Sequence, residues 1–588
     1  MKSEDWDFDP EQCTVIEVEP EVRQLVLAGP GSGKTEVVVG LLERLVDHHG
    51  LSPADELLVI SFSRAAVAAV RRRAVASNGR SVVTVRTLDS LAALLLEELD
   101  GGDELRDGSF NDRIKLANGL LDELGSEQLS MLRHVVVDEV QDVVGIRAEF
   151  LCTLLRCVED DIGFTLLGDP MQALYDFQRG DETDMTSVDL LDSLRQEFGV
   201  TEHRLSGEYR SRSPEAATAA ALGPKLLQEP DASKRARELE RFVSRLLTVG
   251  DLPQLALLLP KWEGTTAVLC RTNGEALVVA GELRAAGAVV ALQRSAQEPA
   301  LASWVAEALA DQTTSAVSKD ALFAALGDPK LLDAEMAWRW LRTAAGTKGK
   351  TLNVPSLARR MAAGAIPIEL QSGAAAPVIV STVHRAKGLE FDNVVLVSPH
   401  RWTVDPSTLA EDVRTLFVAA TRSRDRMVTV AGPEMKGLRL DPRSGRWIRI
   451  RQTWQTLGFE IVGSDTRAPY PVGDDPAETQ RYLPSIKPGD QVTMMLDPGR
   501  STLMLPRYSV LHAGRLVART SEDFGEKLVR RIGPGDRRKG RPWPELDGAV
   551  VEGLETAAGT PPPLSGISAG RWGLWLNVRL TGMLELSW

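Results

Sequence analysis

Residues 23–35 read RQLVLAGPGSGKT, and their order is typical of one kind of site. Residues 23–28 form a short apolar run that suits a buried β-strand, and the segment after the loop, EVVVGLLERLVDHH, has helical apolar spacing. Strand, glycine-rich loop and helix in this order are the context that a phosphate-binding loop requires. Its backbone N–H groups and the positive end of the helix attract phosphate oxygens. The segment therefore predicts a nucleoside triphosphate site.

Two side chains at the end of the loop supply the remaining phosphate chemistry. Lys34 can reach the β- and γ-phosphates, and the Thr35 hydroxyl can bind Mg²⁺. Ala28 stands where the strict pattern has glycine. The residues predicted to cradle the phosphates are Gly29, Pro30, Gly31, Ser32 and Gly33.

A second apolar run, residues 133–138 (RHVVVD), ends in two neighbouring acids. A strand that ends in Asp-Glu places one carboxylate on Mg²⁺ and the other near the γ-phosphate. We assign Asp138 to the metal and Glu139 to activation of the attacking water. The alternative is a pair of solvated acids at a strand end. With the loop upstream, a nucleoside triphosphate and Mg²⁺ are the predicted cofactors.

Composition excludes several classes of protein. The chain has 588 residues, of which 43% are hydrophobic and 26% charged, so we expect a globular protein of several domains. Four cysteines exclude a disulfide scaffold and favour a cytoplasmic protein. No apolar run approaches about 18 residues, and the acidic N-terminus does not resemble a secretion signal, so we expect no membrane association. The net charge of −14 repels polyphosphates at long range, so nucleic acid must contact local surfaces.

Eight segments in order resemble the motifs of UvrD/Rep-type superfamily 1 DNA helicases. They are 8–12 (FDPEQ), 24–35 (QLVLAGPGSGKT), 60–66 (ISFSRAA), 135–142 (VVVDEVQD), 166–175 (LLGDPMQALY), 205–211 (LSGEYRS), 381–391 (STVHRAKGLEF) and 418–423 (VAATRS). The resemblance implies two RecA-like lobes with ATP between them. The short segments between the motifs imply a compact member with reduced insertions.

The resemblance assigns roles around the phosphates. Arg210 and Arg422 would act as arginine fingers, and Gln172 would sense the γ-phosphate. Arginine suits this task because its guanidinium is permanently charged and forms a rigid fork for phosphate oxygens.

The resemblance also assigns contacts to the rest of the nucleotide. Gln12 would hydrogen-bond adenine and Tyr209 would stack on it. Glu390 would contact the ribose or the network on the phosphate side.

Aromatic side chains are the predicted contacts to single-stranded DNA, because bases stack on them. The resemblance places Phe62, Tyr175 and Phe177 in this role, and the alternative is that these aromatics fill the core. His384 would couple the DNA contact to the ATP site.

Three departures from the family pattern affect the predicted DNA contacts. Arg64 and Ala65 stand where Asn-Lys is usual, and Asp89 stands where histidine is common. Residues 177–180 (FQRG) carry one extra residue.

The apolar runs predict an α/β fold with parallel sheets over 23–170 and 265–430, and short alternating runs predict a β-rich end of the chain. Together with the resemblance they give six regions: RecA-like lobe 1 (1–90 and 135–215), a short helical insertion (91–134), RecA-like lobe 2 (216–310 and 376–440), a reduced helical insertion (311–375), a linker (441–484) and a small C-terminal β-rich domain (485–588).

A basic stretch lies within the last region. It contains Lys527, Arg530, Arg531, Arg537, Arg538, Lys539 and Arg541. It is either a solvated loop or a contact for nucleic acid or a protein partner.

Two hypotheses of function follow. The first is an ATP-dependent 3′-5′ translocase and helicase that acts on single-stranded or tailed duplex DNA. The second is an ATP-gated DNA-binding subunit that unwinds little and loads or licenses a separate nuclease or a repair or defence protein through its C-terminal domain.

Overall fold

The computed structural model describes the chain as two compact units. The first comprises residues 1–248 and 386–429, and the second comprises 249–385 and 430–588. The described residues are 7–53, 55–61, 85–99, 110–124, 127–158, 162–175, 183, 185–293, 300–326, 334–347, 349–362, 370–371, 376–451, 455–468, 470–473, 475–502, 504–533, 543–559 and 570–588.

The strands are numbered in chain order. They are β1 (Arg23–Ala28), β2 (Leu57–Ser61), β3 (Val85–Arg86), β4 (His134–Asp138), β5 (Gly163–Gly168), β6 (Thr201–Leu205), β7 (Leu247–Thr248), β8 (Thr266–Cys270), β9 (Ala291–Leu292), β10 (Leu301–Ala302), β11 (Ala316–Val317), β12 (Leu352–Asn353), β13 (Val378–Thr382), β14 (Phe391–Val397), β15 (Ser423–Val430), β16 (Leu438–Asp441), β17 (Arg446–Arg451), β18 (Gln455–Ile461), β19 (Thr493–Leu496), β20 (Tyr508–His512), β21 (Arg515–Arg519), β22 (Glu545–Asp547), β23 (Val550–Ala558) and β24 (Leu574–Ser587).

The α-helices, like the strands, occur along the whole described chain. Within the described residues, all of them fall short of the length and apolar character that a bilayer span needs. They are Pro10–Ile16, Lys34–Glu43, Leu88–Leu99, Phe110–Leu124, Glu127–Ser130, Ile146–Cys157, Ser187–Glu197, Pro214–Gln228, Ala232–Val243, Leu252–Leu258, Asn273–Ala285, Ser303–Leu309, Lys319–Leu326, Ala334–Ala345, Val354–Ala362, Val383–Ala386, Leu409–Ala420, Pro476–Tyr482 and Glu522–Ile532.

The first unit is built on a parallel sheet with the strand order β3-β2-β4-β5-β1-β6. Alternate residues of β1 enter different cores. Leu25 packs with Phe150 in one, while Val26 packs with Leu41 in the other. Helices therefore cover both faces, as the nearly continuous apolar runs require. The loops after β1, β4 and β5 meet at the carboxyl edge, where α/β sheets bind ligands. The predicted parallel α/β fold is confirmed.

The first unit also contains later strands, since β7 pairs in parallel with β15. In the second unit β13 lies between β8 and β9, again in parallel. Residues 216–248 and 386–429, which we expected in lobe 2, thus belong to the same compact unit as the phosphate loop.

The two expected insertions contain helices. The described part of 91–134 contains most of Leu88–Leu99 and all of Phe110–Leu124 and Glu127–Ser130. The described part of 311–375 contains three helices and the short antiparallel pair β11 and β12.

The end of the second unit is an antiparallel sheet with the order β16-β17-β18-β24-β22-β19-β20-β21, and β23 pairs with β24. The expectation of a linker over 441–484 is corrected here, because β17 and β18 lie within it and β18 pairs with β24. Pro and Gly frequency suggested a linker, whereas the partner that stabilises β18 lies more than 100 residues later. The β-rich region predicted over 485–588 is part of this larger sheet.

Candidate nucleotide site

The phosphate loop joins β1 to the helix Lys34–Glu43 and requires glycine at two positions. Gly31 and Gly33 have φ angles of +78° and +79°, in the left-handed region that favours glycine. A Cβ on Gly33 would lie 2.7 Å from Gln12 Nε2, and one on Gly31 would lie 2.5 Å from Glu208 Oε1. The loop is therefore a cradle of bare backbone at a helix N-terminus, which fits a triphosphate.

Lys34 is held against the start of this loop. Its Nζ donates hydrogen bonds to the carbonyl oxygens of Ala28 at 2.8 Å and Gly29 at 3.3 Å. Ser32 Oγ also donates to Gly29 O, at 2.8 Å. Lys34 thus places a positive charge at the carboxyl end of β1, and its contact with the phosphates remains a prediction.

Gln12 and Tyr209 contact the loop from two distant segments. Gln12 is buried at the start of the helix Pro10–Ile16, and its Nε2 donates to Ser32 O at 3.0 Å. The Tyr209 backbone N donates to Gly31 O at 2.9 Å, while its hydroxyl donates to Asp9. Tyr209 is 45% exposed. Their contacts with adenine remain predictions.

The acidic pair lies at the end of β4. Asp138 Oδ1 accepts a hydrogen bond from Glu139 N at 3.0 Å. Glu139 has a φ of +57°, which is uncommon for a residue with a side chain and is typical of functional sites. Gln141 Nε2 donates to Glu139 Oε2, and Gln141 Oε1 accepts from Asp169 N at 2.9 Å. The Glu139 carboxylate is therefore held in one orientation.

The pKa values of Asp138 and Glu139 are shifted in opposite directions. Burial, reinforced by the neighbouring Glu139, raises the pKa of Asp138. Burial also acts to raise the pKa of Glu139, but Lys34 and Lys387 outweigh it, so the net shift is downward. A cation beside Asp138 would offset its burial, and carboxylate and hydroxyl oxygens are the ligands that Mg²⁺ prefers. Thr35 and Asp138 therefore fit the predicted metal.

Gln172 connects two further charged groups of the site. Its Nε2 donates to Asp169 Oδ2 at 2.8 Å, and its Oε1 accepts from Arg422 Nη2 at 2.8 Å. Both Gln172 and Arg422 are 3% exposed. The predicted γ-phosphate sensor and one predicted arginine finger are in direct contact.

The other predicted finger, Arg210, lies beside the loop. Its Cβ would be 3.1 Å from a Cβ on Gly31, and its Nη1 donates to Thr421 O at 2.9 Å. Arg210 Nε is 2.8 Å from Glu390 Oε1, while Arg424 Nη2 donates to Glu390 Oε2 at 2.7 Å. Glu390 is thus paired with an arginine on each side, and its contact with a ribose remains a prediction.

Sequence reasoning quoted Lys387 within a motif without giving it a role. Its side chain is 5% exposed, and its ammonium pairs with Asp142 and donates to Gln172 O. It also lies 5.3 Å from the ring centroid of Tyr175. The sequence could have suggested this ion pair, because Lys387 and Asp142 are opposite charges in two different motifs and neither had an assigned role. Tyr175 is half-buried here, and its base contact remains a prediction.

Of the other predicted DNA contacts, the structure describes His384 but not Phe62 or Phe177. Phe62 and Phe177 lie outside the described residues. His384 lies in the second unit, directly after β13. Asp89, where the family pattern favours histidine, forms an ion pair of 2.7 Å with Arg147.

Comparison with known proteins finds two matching domains in this chain. A model of an AAA domain matches residues 12–178, and a model of a UvrD-like helicase C-terminal domain matches residues 367–431. A protein of Acanthamoeba polyphaga mimivirus, described as an ATP-dependent DNA helicase, is 26% identical over 214 residues. The match covers 35% of this chain and 29% of that protein, so it spans less than a third of the relative's length.

A solved structure of the Pif1 helicase from Bacteroides, in complex with ADP-AlF3 and ssDNA, is 13% identical with a TM-score of 0.35. The alignment covers 72% of this chain and 92% of that one.

The two matched domains occur in the expected order, and the residues of six motifs within them and between them meet at the phosphate loop. Over these two regions, the chain is similar to proteins with an AAA domain and to the C-terminal domain of UvrD-like helicases.

Proposed function

We propose that this protein is an ATP-dependent translocase that moves 3′ to 5′ along single-stranded DNA and separates duplex DNA ahead of it. One observation carries the proposal: Gln172 binds Arg422, and Arg210 abuts Gly31, at the same loop that holds Lys34. In a motor, charged side chains from distant segments contact the terminal phosphate of the bound nucleotide. Hydrolysis then changes the contacts of these side chains. The direction of movement and the use of DNA are supported by the motif set that resembles UvrD/Rep-type helicases.

We propose the following roles for the residues of the site in ATP hydrolysis. Lys34 and the loop N–H groups would bind the phosphates, and Glu139 would accept the proton of the attacking water. Arg210 and Arg422 would stabilise the charge that develops on the transferred phosphate. Mg²⁺, held by Thr35 and Asp138, would supply positive charge against the phosphate oxygens.

In this structure, cations of the site form ion pairs with acidic groups of the protein. Arg210 is paired with Glu390, and Lys387 with Asp142. A triphosphate would compete for such cations, so nucleotide binding would rearrange the 386–429 segment that carries Lys387 and Arg422. We propose this exchange of partners as the step that couples nucleotide to DNA. The four free cysteines favour a reducing cytoplasm as the place of action.

DNA-stimulated ATP hydrolysis tests the site. We expect Lys34→Ala and Glu139→Gln to lower the rate by roughly 10²- to 10⁴-fold, because each removes a phosphate contact or the general base. Glu149→Gln, on an exposed position of the helix Ile146–Cys157, is the matched control and should keep the wild-type rate. Unchanged rates in the first two variants would contradict the assignment.

Strand displacement tests the direction and separates the two functions. We expect unwinding of a duplex with a 3′ single-stranded tail and none with a 5′ tail. Unwinding from the 5′ tail alone would refute the proposed polarity. ATP hydrolysis without unwinding on either substrate would favour the second hypothesis, a subunit that loads or licenses a separate nuclease or a repair or defence protein.

A further inference from the structure

Three arginines lie together at one edge of the antiparallel sheet in the second unit. Arg439 is on the edge strand β16, Arg443 is in the turn between β16 and β17, and Arg531 is near the end of the helix Glu522–Ile532. We call these three residues the arginine cluster. They lie outside all of the helicase motifs.

One buried carboxylate organises the cluster. Asp441 is 3% exposed and lies 4.0 Å from Arg531 Nη1. Asp441 Oδ2 accepts hydrogen bonds from Ser444 N at 3.0 Å and Ser444 Oγ at 2.6 Å, which fixes the turn that carries Arg443. Arg439 precedes Asp441 by two residues on β16, so the two side chains leave the same face of the strand. Arg531 therefore pairs with this acid, while Arg439 and Arg443 lie close enough to Arg531 to repel its charge.

The cluster carries more positive charge than its surroundings neutralise. Arg439 and Arg443 are exposed, and among the described residues neither forms an ion pair. The Arg531 side chain is 9% exposed, and its buried Nη2 has no hydrogen-bond partner in the described part of the chain. Burial, together with Arg439 and Arg443, lowers the pKa of Arg531 against the opposing effect of Asp441. The site thus has a buried donor without an acceptor and an excess of cations.

Neighbouring basic residues differ from the cluster. Lys527 is paired with Asp523, and Arg530 is paired with Glu526, each across one turn of the helix Glu522–Ile532. They add little net charge at this edge. An unneutralised cluster is informative in a chain whose net charge is −14, because bulk attraction to polyanions is unavailable.

We propose that the arginine cluster binds the phosphodiester backbone of nucleic acid, in addition to the contacts expected from the motifs. Guanidinium groups match phosphate oxygens in geometry and charge, and the exposed Arg439 and Arg443 would contact a backbone phosphate, with Arg531 adding positive charge behind them. An acidic protein partner is less well matched, since protein interfaces are anchored by buried aromatic and apolar residues. The proposal rests on the proposed function only in that the chain meets DNA, and it does not require ATP hydrolysis.

Equilibrium binding of the full chain without nucleotide tests the proposal. Fluorescence anisotropy is measured with a labelled single-stranded oligonucleotide and with a hairpin duplex, between about 50 and 200 mM salt. For Arg439→Ala/Arg443→Ala we expect affinity to fall on the order of tenfold and the salt dependence to become shallower by about one to two units of slope. A loss on one substrate only would identify which form of DNA the cluster contacts, and either loss supports the proposal.

Control variants keep the result interpretable. Arg481→Ala/Lys487→Ala removes two exposed charges elsewhere in the same unit and should leave affinity and slope unchanged. Arg443→Lys keeps the charge and should keep most of the slope, and thermal midpoints should match the wild type. The proposal is overturned if the cluster variant binds like the wild type, or if the control pair loses as much.

ATP hydrolysis at saturating DNA separates this proposal from the proposed function. We expect the cluster variant to retain the wild-type rate there. A wild-type chain that binds DNA through the cluster without DNA-stimulated hydrolysis would refute the motor and leave the cluster supported. Normal stimulation with unchanged binding in the variant would refute the cluster alone.

Discussion

Two glutamine amides hold the acidic residues of the nucleotide site, and each uses both ends. Gln141 donates to Glu139 and accepts from Asp169 N, while Gln172 donates to the Asp169 side chain and accepts from Arg422. Gln172 therefore bridges a carboxylate and a guanidinium, whereas Gln141 bridges a carboxylate and a backbone N–H. Each amide donates one hydrogen bond and accepts another. Replacing it by a side chain that can only donate or only accept would leave a buried polar atom without a partner, which costs about 1–3 kcal/mol.

The phosphate loop gives a prediction about stability at the residue scale. Gly33→Ala should lower the free energy of unfolding by about 1–2 kcal/mol, because its φ is +79° and the new Cβ would lie 2.7 Å from Gln12 Nε2. Gly29→Ala is the matched control, since a Cβ there meets nothing within 4 Å. Urea unfolding without nucleotide measures both. Equal midpoints for the two variants would contradict the loop geometry.

At the scale of an element, β4 begins with a buried histidine, at the end of the strand opposite to Asp138. His134 is 0% exposed, and its Nδ1 lies 2.7 Å from Pro20 O, which can only accept. Nδ1 therefore carries the proton, and Nε2 accepts from Thr165 Oγ1 at 3.0 Å. Thr165 Oγ1 accepts in turn from Gln24 Nε2 at 2.9 Å. The network across β1, β4 and β5 fits the neutral ring.

Burial lowers the pKa of His134 from 6.5 to about 4, against smaller opposing effects of Pro20 and Glu21. Between these values the unfolded chain binds a proton that the folded chain does not, so this residue makes stability fall as pH drops from about 6.5 toward 4. We expect a loss of about 2 kcal/mol at pH 5 relative to pH 7.5.

Urea midpoints over this pH range provide the measurement. His134→Asn should be less stable at neutral pH but lose less on acidification, because its side chain does not titrate. His203→Asn, at a less buried position on β6, should retain the wild-type pH dependence. A wild-type slope in His134→Asn would show that another group is responsible.

At the scale of the whole molecule, the C-terminal sheet joins distant parts of the second unit. β10 pairs with β23, so residues 301–302 are hydrogen-bonded to 555–556. β18 pairs with β24, and the side chains of Ile448, Phe459 and Ile461 are buried in the core of this sheet. Residues 485–588 are therefore not a separate folding unit.

Truncation tests this integration. Deleting residues 485–588 should lower the soluble fraction and the thermal midpoint, because β10 and β18 lose their partners and Ile448, Phe459 and Ile461 lose their cover. Each such side chain is worth about 1.5–3 kcal/mol when buried. Deleting Trp588 alone, which is 51% exposed and follows β24, is the control. A stable, soluble truncated chain would contradict the shared sheet.

The sequence by itself determined the local chemistry of this protein. The strand, loop and helix around Lys34 and the strand end at Asp138 are contiguous, and their periodicity and residue types report directly on local backbone structure. The roles of Gln12, Arg210 and Arg422 came from the resemblance of whole motifs.

Only the tertiary structure decided which distant groups meet. Arg422 and Gln172 are 250 residues apart, Lys387 and Asp142 are 245 apart, and the arginine cluster joins β16 to a helix about 90 residues later. The region 441–484 was predicted as a linker because its Pro and Gly content is a local signal, while the strand that completes β18 lies far along the chain. Periodicity describes the face that a segment buries, whereas the packing of the whole chain selects the partner that covers it.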